Sequence, residues 1–174
     1  SRNSDNCDTG LAVGAQRSCR CVRHHRHVAG VDLVDETFIV AQPAVLAGIV
    51  ADPQMWRRWW PDLQLAVFMD RGLLGQRWSM TGALVGSLEI WIEPIIDGCI
   101  VHHYLRGEPS SDGRTPEPWP DTPAGWRRAA GERARRAKAW KRSMWELKRD
   151  LEGDRPAGVP PQWSTATDAP APPQ

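Results

Sequence analysis

The sequence predicts one α+β domain in which an antiparallel sheet is covered by a single long helix, and three features carry that prediction. Five stretches of β-branched and apolar residues are separated by short connections, two Pro-led helical segments follow the first stretch, and a long amphipathic run comes after the last. The chain has 174 residues, enough for one domain with a real core and too few for two of ordinary size. Its 41% hydrophobic and 25% charged residues are globular values and argue against a fibrous repeat or disorder throughout.

The elements follow in order. Residues 1–30 have no apolar period and mix Ser, Asn, Gly, Arg and His, so a mobile arm is expected there. Val31 to Val40 (VDLVDETFIV) is rich in β-branched residues and stops at Ala41-Gln42-Pro43, which marks a strand. Pro43 suits the first turn of a helix that runs to about Val50, because its fixed φ is helical and its missing N–H would have no partner anyway. Asp52 then suits the N-cap of a second short helix, with Pro53 at its first position, Trp56 and Trp59 on one face, and Pro61 ending it.

Four strands are expected next, at Leu63 to Asp70, Gln76 to Gly82, Ser87 to Glu93 and Cys99 to Arg106. The separators are Arg71-Gly72, Gly82 to Gly86 and Asp97-Gly98, and connections this short imply an antiparallel meander. In the third of these strands Leu88, Ile90 and Ile92 face one way while Glu89, Trp91 and Glu93 face the other, so one side of the sheet must be covered. Gly107 to Gly125 carries five Pro and reads as a loop. Trp126 to Leu151 reads as a long helix whose Ala137, Trp140, Met144, Leu147 and Leu151 form one stripe, the natural cover for that side. The segment 153–174, rich in Pro, Ala and Thr, is expected to be disordered, which leaves 31–152 as the domain.

The formal charge of +1 conceals an asymmetry: residues 31–125 carry −7 and residues 126–152 carry +6. An acidic body with one basic helix is a dipolar protein. No run approaches the ~18 apolar residues of a membrane span, and a cytoplasmic location is expected. Of the cysteines Cys7, Cys19, Cys21 and Cys99, three fall in the N-terminal arm, and no disulfide framework is expected.

Two stretches, FIVAQPAVLAGIVADPQMWRRWWPD from Phe38 to Asp62 and EIWIEPIIDGCIVHHYL from Glu89 to Leu105, resemble the START-like, or SRPBCC, superfamily of polyketide cyclases and dehydrases and lipid-transport proteins. The first is similar to that superfamily's opening strand, paired short helices and W-x-x-W-W-P segment, and the second to its penultimate hairpin. The resemblance covers about 120 residues and implies a helix-grip fold, a curved antiparallel sheet with two short helices and a long C-terminal helix. It implies a pocket for a hydrophobic small molecule, such as a lipid or a polyketide-like compound, between sheet and helix, but fold alone does not choose the ligand. Superfamily members often have six strands after the short helices where this sequence has four, which points to a smaller cavity.

Ten Trp stand against one Tyr and two Phe, and indole groups build pockets as readily as cores. The expected ligand lining is Trp78, Met80, Ile90, Ile92, His103, Trp140 and Met144, with plain core packing as the alternative for each. His102 and His103 lie on opposite faces of their strand, and parity with Val101 and Leu105 turns His103 inward. His103 is therefore the one candidate acid or base for a cyclase, aromatase or dehydratase reaction; the competing expectation is an imidazole satisfied by a neighbouring hydroxyl or backbone group, since no inward carboxylate is evident. Carrier function is the leading expectation, with no catalytic residue assigned.

Cys19-x-Cys21 followed by His24, His25 and His27 offers soft ligands without the spaced pairs of a structural zinc site, so neither metal nor cofactor is expected. Arg127, Arg128, Arg135, Arg136, Lys138, Lys141 and Arg142, interleaved with Trp126 and Trp145, form a basic surface that could weakly contact an anionic membrane or RNA. The alternative is a solvated outer face. No Gly-rich phosphate loop, nucleophile elbow, H-E-x-x-H or calcium loop is present.

Overall fold

The computed structural model describes residues 30–161 and Trp163. Its elements run β1 (Val31–Ile39), α1 (Pro43–Ala51), α2 (Pro53–Trp59), β2 (Leu63–Asp70), a 3-10 turn at Gly72–Leu74, β3 (Gly75–Gly82), β4 (Leu84–Ile95), β5 (Gly98–Pro109) and α3 (Pro123–Glu152). The five strands form one antiparallel sheet in the order β1-β5-β4-β3-β2. The meander thus returns so that the last strand pairs with the first, from Val31 opposite Gly107 to Ile39 opposite Cys99. This is the helix-grip arrangement, with α3 laid across the concave side of the sheet and four strands after the short helices.

Local chemistry explains the short helices. Pro43 and Pro53 open them, and the Asp52 side chain accepts a hydrogen bond of 2.8 Å from the Gln54 N–H. The long helix begins three residues earlier than the sequence suggests. Thr122 caps it by accepting from the Gly125 N–H at 3.2 Å and Pro123 takes the first position, so the last of the five prolines begins α3 instead of belonging to the loop. Gly125 is required here, because a Cβ would collide with the Pro120 carbonyl.

Strands β4 and β5 run longer than expected, and Gly86, expected in a turn, lies inside β4. Gly86 pairs directly with Gly107 of β5, and on the other side with Met80 of β3. Side chains are missing where two strands press together, and the Met80 methyl fills the space over Gly107.

The inward side chains of the strands, among them Leu33, Trp78, Met80, Leu88, Ile90, Ile92 and Leu105, form one core with Trp59, Trp60, Trp140 and Met144. Ion pairs fasten α3 over it. Lys141 Nζ reaches Asp35 of β1 at 2.7 Å, Arg136 reaches Asp62 at 2.7 Å, and Glu152 accepts from the Val40 N–H at 2.8 Å. Lys148 donates to both the Phe38 carbonyl and Glu152.

The outer face of the sheet is not simply solvated. His102, also buried, stacks on Trp91 with centroids 4.4 Å apart, and its Nδ1 and Nε2 lie 3.1 Å from Glu36 and 2.9 Å from Glu93. Both histidines of the pair are therefore shielded, one on each face. Cys99 is a buried free thiol 3.4 Å from the Ala41 carbonyl, while Cys7, Cys19, Cys21, His24, His25 and His27 lie outside the described residues. Among the described residues no helix is long and apolar enough to cross a membrane.

Candidate functional site

The segment Trp56 to Asp62 turns the end of α2 into β2 and drives two indoles under α3. The Trp60 N–H closes the last turn of α2 on the Trp56 carbonyl at 2.8 Å, and the Trp56 Nε1–H donates to the Val50 carbonyl, which fixes α2 against α1. Trp60 lies parallel to Trp140 of α3, centroids 5.5 Å apart and planes within 7°. His103 stacks on Trp140 at 4.1 Å and on Trp60 at 5.8 Å, and Trp59 meets both indoles edge-on. Three nearly parallel rings thus meet where sheet, corner and long helix converge.

Above them a cleft of about 230 Å³ opens between the α2–β2 corner and α3. Leu33, Leu105, Trp59, Trp60, His103 and Trp140 line its apolar part, and Arg58, Asp62, Arg135, Arg136, Arg142 and Ser143 line the rest. Of the seven side chains expected to line a ligand chamber, only His103 and Trp140 reach this cleft. Trp78, Met80, Ile90, Ile92 and Met144 are all buried in the packed core and do not line it.

His103 is 0% exposed, and neither ring nitrogen has a hydrogen-bond partner. Burial lowers its pKa to about 3, so the ring is neutral throughout the physiological range. The satisfied histidine that the sequence allowed is not what the fold provides. An inward carboxylate does exist: Asp35 of β1 is the cross-strand neighbour of His103. Its oxygens are engaged by the Trp140 Nε1–H at 3.1 Å and by Lys141, which turns them toward the helix and leaves the imidazole alone. Trp78 Nε1 and Gln76 Oε1 are also buried without partners.

The polar rim is a braced network. Arg136, only 6% exposed, pairs with Asp62 at 2.7 Å and Glu132 at 2.8 Å, and Arg135 contacts the same two carboxylates. Burial pushes the Asp62 pKa up, but the hydrogen bonds and charges of Arg136 and Arg135 outweigh it and hold the carboxyl below its usual value. Glu132 is lowered as well, chiefly by its hydrogen bond from Arg135 against the opposing effect of burial.

These pairs correct the expectation of a free basic surface on α3. Arg135, Arg136 and Lys141 are tied to carboxylates within the fold, because the first two flank the corner carrying Asp62 and the third overlies Asp35. Arg127, Arg128, Lys138 and Arg142 remain exposed and form no ion pair among the described residues. No group of three metal-ligating side chains occurs among those residues.

From sequence, Trp60 belongs to a tryptophan cluster able to line a chamber and Arg136 to the basic surface of α3, but nothing there joins either of them to Asp62. One signal was available: Arg136 sits one turn before Trp140 on the buried stripe of α3, where a charge requires a carboxylate partner.

Compared with family profiles and with curated proteins, the chain gives no match. Among the solved structures similar to it are two of low sequence identity. The Aha1 dimer from Colwellia psychrerythraea, solved in solution, is 13% identical with a TM-score of 0.46, the match covering 72% of this chain and 98% of that one. A START superfamily protein from Mycobacterium smegmatis is 15% identical with a TM-score of 0.36, the match covering 67% of this chain and 98% of that one.

Proposed function

We propose that this protein binds a hydrophobic small molecule in the cleft between its sheet and α3, as a carrier or sensor. The supporting observation is His103, a wholly buried imidazole at an aromatic cleft with both nitrogens unpartnered. Polar groups shut away from water almost always have a partner, so the missing one is expected from a bound molecule. The cleft is smaller than the ~300–1,000 Å³ of drug-sized pockets, which favours a compact guest over a diacyl lipid.

Trp60 and Trp140 make the binding measurable. A guest beside them is expected to quench or shift tryptophan emission, and Ser143→Trp, which fills the rim, is expected to abolish the response without unfolding the protein. Titration with palmitate and with bicyclic aromatic compounds is the test. Unchanged emission with every compound, together with a native mass spectrum free of any retained molecule, would refute the reading.

The second reading, a cyclase, aromatase or dehydratase, has one observation in its favour. His103 has both nitrogens unoccupied at the cleft, where one could take a proton from an enolisable guest; with a pKa of about 3 the ring is a weak base, so this reading requires the bound guest to raise it. That reading requires His103→Gln to abolish turnover of a polyketide-like substrate while leaving its affinity within a few fold.

A further inference from the structure

The rim of the cleft carries more positive than negative charge, and one member of it is uncommitted. Arg58 holds only an exposed contact of 3.3 Å with Glu146, whereas Arg135 and Arg136 are bound up with Asp62 and Glu132. Arg142 lines the same cleft, is exposed, and forms no ion pair among the described residues. It lies two residues after Trp140, so one short stretch of α3 presents an indole and a guanidinium to the same opening.

We infer that the guest is a compact aromatic anion: its ring lies against Trp60 and Trp140, its acid group meets Arg142 and Arg58, and an oxygen substituent meets His103. The inference rests on the cleft-binding reading and specifies the ligand class. Each part answers a different observation. Trp60 and Trp140 stack on each other and show the cleft little more than their rims, which an aromatic guest can meet edge-on. A guanidinium at the mouth pairs with a carboxylate through two N–H donors, and it remains wet, so an anion can reach it without full desolvation. A neutral imidazole offers one donor and one acceptor, which a hydroxyl or carbonyl on the ring matches; because His103 is wholly buried beneath Trp60 and Trp140, this contact requires those rings to part as the guest enters.

The competing occupant is a fatty acid, which shares the acid group but not the ring. The other arginines decide how the acid is held. Since Asp62 already saturates Arg136, the acid is expected to bind at the outer edge of the cleft and its affinity to fall as ionic strength rises.

Tryptophan quenching with naphthoate, its methyl ester, hydroxynaphthoate and palmitate separates the possibilities. Naphthoate is expected to bind roughly tenfold more tightly than the uncharged ester, the size of one charge-assisted pair at a wet site. Combining Arg58→Gln with Arg142→Gln is expected to reduce that advantage to about twofold. Replacing Arg127 and Arg128, exposed on the same helix and away from the cleft, should leave the acid-to-ester ratio unchanged. Hydroxynaphthoate is expected to exceed naphthoate by about threefold, a difference that His103→Phe erases. Equal affinity for acid and ester, or binding of palmitate alone, overturns the aromatic anion while leaving the cleft as a binding site. Silence from all four probes removes both.

Discussion

At His103 the fold forgoes stability, for a buried polar group without a partner costs about 1–3 kcal/mol. His103→Phe keeps a flat ring stacked against Trp140 and Trp60 and is expected to raise the stability of the unliganded protein by about that amount, read as a higher urea midpoint at unchanged slope. The pH dependence follows from the same burial. The folded pKa of about 3 lies below the ~6.5 of an exposed histidine, so the unfolded chain binds the proton first. Stability is complete above about pH 6.5 and declines as pH falls toward 3, with a limiting slope of about 1.4 kcal/mol per unit that His103→Phe should remove. Parity along β5 was enough to turn this side chain inward. Its isolation was not readable, because that depends on Trp140 and Lys141, far along the chain, engaging Asp35. The same holds for Trp78, Met80, Ile90, Ile92 and Met144. Strand alternation and the helical stripe put them inside, but neither pattern separates a core wall from a chamber wall.

Among the elements, the paired glycines of β4 and β5 give the sharpest contrast. A methyl group at Gly86 would strike the Arg106 carbonyl and the Gly107 Cα, whereas at Gly107 it meets first the mobile end of Met80. Gly86→Ala is therefore expected to cost well over the ~1–3 kcal/mol of ordinary overpacking, and Gly107→Ala to fall within it, as thermal unfolding of the two variants will show. Losing the cap is milder, and Thr122→Ala should lower stability by about 1 kcal/mol. The short helices were legible because Pro43, Asp52 and Pro53 are local signals, and β2 was legible to the residue because turn residues bracket it. The ends of β4, β5 and α3 were not, since Gly86 and Pro123 look like breakers until their neighbours are known. The shielding of His102 was not legible for a similar reason: Trp91 and Glu93 of β4 and Glu36 of β1 bury a side chain that alternation alone leaves on the outer face.

For the molecule as a whole, α3 is held by carboxylates at separate points along its length. Asp62 and Glu132 brace its middle, and Glu152, raised by burial but lowered further by Lys148 and the Val40 N–H, anchors its end. All three sit below their ordinary pKa, so their contribution is present above the usual carboxylate range and disappears as acid protonates them. Acidification below about pH 4 is thus expected to lift α3 from the sheet before the strands separate, seen as loss of near-ultraviolet circular dichroism with retained far-ultraviolet signal. The pairing of β1 with β5 has a further consequence during synthesis. β1 has no neighbour in the sheet until β5 has emerged from the ribosome, and the helix that shields the sheet comes later still. The nascent chain therefore exposes a row of unmatched peptide groups and greasy side chains for most of its translation, and final closure is a single late event spanning nearly the whole domain.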